Sequence, residues 1–221
     1  GAVVLAGDPA SSAVEGSSVE GPAGISDATP VFALVSARKH SAPDSALWAF
    51  GTNQFTIELW ANFAVNTGDR TLVANDTGGG TQDKWIFYLN SGVLRFHING
   101  SVGNASIGSA PFVPALNQWY HLAVTRQSSN YTFFINGNPV STNIDTRAIP
   151  DANAPLTIGN AEGGFYFNGL LDEVSIYNRA LSAAEIQSIH AAGNGGKCFT
   201  PPPGATVPYF TDFESGVGPF W

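Results

Sequence analysis

Gly163 to Gln187, GGFYFNGLLDEVSIYNRALSAAEIQ, decides the fold: it reads as a turn, a strand and a capped helix. From Leu170 to Tyr177 the side chains alternate, so Val174 and Ile176 share one face and Asp172 is expected on that same face. A carboxylate on an apolar face is costly unless paired, so Asp172 calls for a cation or several N–H donors. Ser182 suits an N-cap and Glu185 stands at N3, the spacing of a capping box. Leu181 and Ile186 are placed as a hydrophobic staple, and Gly193 is a natural stop.

Strand patterns continue outward from this stretch. Phe55, Ile57 and Leu59 alternate with Thr56, Glu58 and Trp60. Residues 31–35, 70–74 and 156–160 read as further strands. Residues 84–90 and 93–99 form a hairpin through Asn90-Ser91-Gly92, with Trp85, Phe87 and Leu89 alternating with Ile86 and Tyr88. Residues 119–125 and 131–136 pair next, and Asn136-Gly137 is a tight turn before a return strand from Pro139. Residues 101–110 are small and polar and are expected to be a loop. Asn75 to Gly80 reads as a flexible hairpin tip; no Lys-Ser/Thr follows it, so it is not a phosphate loop.

Three blocks carry a family resemblance. Asn168 to Ser182, NGLLDEVSIYNRALS, resembles the closing strand and helix of laminin-G-like jelly rolls, within the concanavalin A-like lectin and glucanase superfamily. Phe55-Thr56-Ile57-Glu58-Leu59-Trp60 resembles that family's early core strand. Asn117 to Thr125, followed by Phe133-Phe134-Ile135-Asn136-Gly137, resembles its central hairpin. The resemblance spans about residues 32–192 and implies an all-β, two-sheet antiparallel jelly-roll sandwich with one short C-terminal helix and extended tails. The family's fold serves many functions, so function has to come from the site.

The totals agree with that fold. A hydrophobic fraction of 43% over 221 residues supplies a sizeable core, and 25 glycines with 14 prolines suit a turn-rich sandwich better than a helical bundle. A net charge of −8 with no basic stripe argues against nucleic acid. No apolar run is long enough for a membrane span. Cys198 is the single cysteine, so an internal disulfide is impossible and only an intermolecular one could form. Residues 1–30, rich in Ala, Ser, Gly and Pro after a short apolar run, read as an extended arm or linker. Residues 31–192 form the sandwich, and residues 193–206 a Gly/Pro linker. Residues 207–221 read as an aromatic strand or the start of a further domain.

Catalytic relatives on this fold need paired carboxylates at alternating positions of one strand, and no strand here has them. Glu58 stands alone on its strand, and no nucleophile elbow exists. The histidines, His40, His97, His121 and His190, show no metal-ligand spacing, and His121 matches a structural core position of the family. Calcium is the best cofactor expectation: the resemblance implies an inward Asp172 as ligand, with Asp76 as a second candidate. The family's acidic turn after the first strand is replaced by Ser36-Ala37-Arg38-Lys39-His40, which offers no carboxylate.

Sugar binding needs an aromatic platform with polar neighbours; Phe165, Tyr166 and Phe167, near Asn160 and Glu162, are the candidates. Asn-X-Ser/Thr sequons occur at Asn75, Asn99, Asn104 and Asn130. These features, with the resemblance, imply a non-enzymatic module at the cell surface or outside the cell that recognises a glycan or an extracellular protein. The alternative is a structural subunit that joins copies of itself into a filament or surface layer by donated terminal strands.

Overall fold

The computed structural model describes residues 2–4, 32–34 and 40–193. The two end segments, residues 194–206 and 207–221, and most of the 1–30 arm lie outside the described residues, as does Cys198.

Among the described residues thirteen strands build two antiparallel sheets. One contains β1 (Ala2–Val4), β2 (Phe32–Leu34), β4 (Phe55–Phe63), β9 (Trp119–Gln127), β10 (Asn130–Ile135), β11 (Asn138–Ile144) and β13 (Gly169–Tyr177). Its order is β1-β13-β4-β9-β10-β11, and β2 pairs with the other half of the β13 edge. The second sheet runs β3-β12-β5-β6-β7-β8. Its strands are β3 (His40–Ala42), β5 (Asp69–Asp76), β6 (Lys84–Asn90), β7 (Val93–Asn99), β8 (Ala105–Pro111) and β12 (Leu156–Ile158). The jelly-roll sandwich read from the sequence is the observed fold.

The core follows the period-two pattern. Phe55, Ile57, Leu59, Ala61 and Phe63 point inward from β4, against Leu72, Trp85, Phe87, Leu89, Phe96 and Ile98 of the second sheet. All nine residues of β4 are nevertheless buried, because the first sheet is covered on its outer face as well. The cover is α1 (Ala183–Ala192), which opens with the capping box of Ser182 and Glu185. Leu181 and Ile186 close a small cluster with Ala123 and Phe134.

Two hairpins form as read. Ser91-Gly92 and Asn136-Gly137 both carry positive φ at the two central positions, the geometry of type I′ turns. Residues 105–111 form β8 rather than a loop. Ala105 and Ile107 alternate into the core there, and the small polar residues between them masked the pattern. His40–Ala42 is likewise a strand, paired with β12.

β13 departs from simple alternation. A bulge interrupts its pairing with β4 between Asp172 and Ser175, and Glu173 adopts φ +49°. Leu171, Val174 and Ile176 therefore all reach the core. Asp172 pairs with Trp60 and Ser175 with Glu58, on the face that turns away from the core. The expectation that Asp172 shares the face of Val174 and Ile176 is thus corrected: one extra residue moves it to the other side. Gly169 opens this strand where a Cβ would lie 1.9 Å from the Asn62 carbonyl oxygen, so no larger residue fits.

Candidate functional site

The first sheet's outer face is polar yet sealed. Thr56, Glu58 and Asn62 of β4, His121 and Thr125 of β9, and Asp172 and Ser175 of β13 are all buried. His121 Nε2 lies 3.1 Å from Glu58 Oε2, and Tyr177 donates its hydroxyl to Glu58 Oε1 at 3.1 Å. The His190 ring of α1 stacks on Trp60. Burial pushes Tyr177 well above the ordinary phenol value, aided by the neighbouring Glu58 charge. This network gives the buried Glu58 carboxylate its partners, and the His190–Trp60 stack holds the helix on the sheet. Neither Glu58 nor His121 is exposed, so it is structural.

On the second sheet's outer face Ala74, Ile86 and Ala161 form a small buried cluster, and a cleft of about 150 Å³ opens beside it. Asp69 and Thr71 of β5, Ile86 and Tyr88 of β6, His97 of β7, and Glu162 and Phe165 of the β12–β13 loop line it. The β6–β7 hairpin sets His97 opposite Ile86, and β5–β6 pairing sets Thr71 opposite Tyr88. A bulge between Thr71 and Val73 lets both Leu72 and Val73 enter the core while Thr71 faces the cleft.

Phe165 forms one wall. It is 46% exposed and held at φ +50°, and its carbonyl accepts the Thr71 N–H at 3.3 Å. An exposed phenyl ring held in the left-handed region is a strained, pinned feature of a kind that clusters at ligand sites.

The cleft's charges are arranged as follows. Lys84 is fully buried and pairs with Glu162. Asp69 accepts from Asn90 Nδ2. Asp76, just behind, accepts the Glu162 N–H at 3.1 Å. Burial raises the Asp76 carboxyl above its usual range, and the nearby Glu162 charge adds to the rise. Burial lowers the His97 imidazole, and Lys84 lowers it further. Burial also raises Tyr88. Thr71 Oγ1 is buried and has no hydrogen-bond partner.

The sequence candidates separate accordingly. Glu162 and Phe165 line the cleft, and Tyr166 is exposed beside it. Phe167 does not: its N–H donates to the Gly159 carbonyl at 2.8 Å and its ring is in the core, 5.0 Å from Phe63. Asn160 is buried, and its carbonyl accepts the Thr157 hydroxyl at 2.7 Å, which makes it a turn residue. Asp69, Thr71, Tyr88 and His97 were not singled out from sequence. Their only signal was register: pairing the 84–90 and 93–99 strands across Ser91-Gly92 places Tyr88 and His97 on one face.

The calcium candidates are not brought together. Asp172 lies on the first sheet and Asp76 on the second. Among the described residues no group of three or more His, Cys, Asp and Glu side chains is placed to hold a metal. At Asp76 the buried Lys84 ammonium already supplies the positive charge that the carboxylates need, so the residues present fit a divalent cation poorly.

The sequons also differ. Asn75 Nδ2, the atom a glycan would occupy, is buried and donates to the Ala154 carbonyl. Asn99 is half-buried and donates to the Gly80 carbonyl. Asn104 and Asn130 are exposed.

Two antiparallel sheets, a capped helix closing one face and a lined cleft on the other define a laminin-G-like jelly roll. The chain belongs to the concanavalin A-like lectin/glucanases superfamily, whose family model matches residues 37–187. Over 153 residues it is 25% identical to the Adhesion G-protein coupled receptor V1 of Danio rerio, which covers 62% of this chain and only 2% of that protein. The Ruminococcus gnavus IT-sialidase CBM40 superposes with a TM-score of 0.62 at 16% identity, covering 72% of this chain and 96% of that one. The binding domain of Paraclostridial Mosquitocidal Protein 1 gives a TM-score of 0.55 at 22% identity, covering 69% of this chain and 40% of that one. At these identities the structural likenesses establish the fold alone. Among the described residues no helix is long and apolar enough to cross a membrane.

Proposed function

We propose that this chain is a non-catalytic extracellular module that binds a glycan in the cleft on the second sheet. The observation that carries the reading is Phe165, an exposed ring fixed over a cleft whose other lining groups are mostly polar. A sugar ring offers an apolar C–H face to an aromatic wall and hydroxyls to polar neighbours, which matches this lining. Related folds give the reading support: the IT-sialidase CBM40 has been solved bound to alpha2,3 sialyllactose, and Domain 4 of the arabinanase AbnA in complex with arabinotriose.

Catalysis has little support. The Glu58–His121 pair is sealed from solvent, and the cleft carboxylates Asp69 and Glu162 are engaged by Asn90 and Lys84. Lys84 balances Glu162 within the fold, which weakens the case for calcium beside Asp76. Self-assembly through a donated N-terminal strand is the weaker reading, because Ala2–Val4 pairs with β13 of its own chain.

The test is a glycan array probed with the wild-type chain and with Phe165→Ala. Binding that drops at least tenfold in the variant supports the reading. Hits that ignore the variant, or an array without hits, contradict it.

A further inference from the structure

The cleft's lining also limits which sugar it takes. We propose that it selects a single sugar unit bearing no acidic group, and rejects sialic and uronic acids. This inference rests on the glycan reading above.

Three observations converge. First, the lining holds two carboxylates, Asp69 and Glu162, and no lysine or arginine. The nearest cations are committed elsewhere. Lys84 pairs with Glu162, Arg70 donates to the Tyr166 carbonyl and to Asn168 Oδ1, and Arg95, set across from Tyr88, lies against Ser106. Burial and Lys84 both hold His97 toward its neutral form, so it adds no lasting positive charge. An acidic sugar would bring a third carboxylate into this setting without a partner, and an unpaired charge in a partly desolvated site is strongly disfavoured.

Second, Thr71 Oγ1 is buried, faces the cleft and lacks a partner in the protein. Buried hydroxyls are almost always hydrogen-bonded, so this one is open to a ligand hydroxyl. A hydroxyl both donates and accepts, which suits a sugar hydroxyl. Asp69 and Glu162 add acceptors. The set is rich in acceptors, as recognition of neutral sugar hydroxyls requires.

Third, the cleft measures about 150 Å³. That is below the roughly 300 Å³ of sites that enclose drug-sized ligands, so one ring fits and a longer chain must run out over the surface. Phe165 then covers one face of that ring.

The experiment uses an array that carries each oligosaccharide as a matched pair, with and without a terminal sialic or uronic acid, plus amino-sugar oligomers. It is probed with the wild-type chain, Phe165→Ala and Asp69→Asn. Hits confined to neutral and amino sugars, lost with Phe165→Ala and weakened about tenfold or more by Asp69→Asn, support the proposal. Asn at position 69 retains an oxygen for Asn90, so its loss of affinity is not a loss of fold. Hits on acidic glycans that still depend on Phe165 overturn the selectivity and leave the cleft as the site. Hits independent of Phe165, or none, overturn both.

Discussion

The carbonyl of Phe165 accepts the backbone N–H of Thr71, and so ties the wall of the cleft to its floor. The wall comes from the loop between β12 and β13, and the floor from β5. One hydrogen bond thus joins the two sides of the site, and the same residue pair supplies its ring face and a hydroxyl without a partner in the protein.

Thr71→Val separates binding from folding. Valine keeps the shape of threonine but removes Oγ1, which has no partner in the protein. Deleting an unsatisfied buried hydroxyl leaves stability unchanged or raised by about 1 kcal/mol, while affinity for the glycan falls roughly tenfold. Thermal unfolding and calorimetric titration of the same samples check both halves. A large drop in melting temperature would show that Thr71 serves the fold and not a ligand.

Removing either partner of the Glu58–His121 contact destabilises the chain. Both side chains are unexposed, so His121→Ala strands a buried carboxyl and costs about 3 kcal/mol or more. Arg179→Ala, which breaks an exposed ion pair with Glu185, leaves the urea midpoint nearly unchanged. Equal effects of the two substitutions would contradict the structural role given to the buried pair.

Stability falls with pH just below neutrality. His97 and His190 have folded values below the ordinary 6.5, the first through burial and Lys84, the second through burial and His121. The unfolded chain therefore takes up protons first, so the stability present above pH 6.5 is lost as pH falls. Asp76 has the opposite sign: its raised value adds stability below the ordinary 3.8 that is lost as pH rises through the folded value. Melting temperatures from pH 7.5 to 5.5 should decline, and decline less in His97→Gln. An unaltered slope in that variant would remove His97 as a cause.

Secretion through a glycosylating host gives glycans at Asn104 and Asn130 and none at Asn75. The first two are exposed, whereas Asn75 Nδ2 is bonded inside the fold. Peptide mapping by mass spectrometry reads this directly, and a glycan on Asn75 in the folded protein would contradict the placement.

The sequence carried the fold because its signals are local and redundant. The capping box at Ser182, the turn at Asn136-Gly137 and the alternation from Phe55 to Phe63 each specify one element, and the structure has all three. The site was half legible. Phe165 and Glu162 stand near each other along the chain, so a cluster was visible. Asp69, Thr71, Tyr88 and His97 come from three other strands, and only register between strands brings them to one face. Asp172 shows the opposite failure. A period-two reading cannot foresee a bulge, and one extra residue at Glu173 sent its carboxylate to the other face.

The most direct test of the cleft is a nuclear magnetic resonance titration of the labelled chain with the strongest neutral binder from the array. Backbone shifts should concentrate at Asp69, Thr71, Tyr88, His97 and Phe165, with little change at Glu58, His121 and α1. Shifts confined to the helix-covered face, or to neither sheet, would contradict the assignment of the binding site.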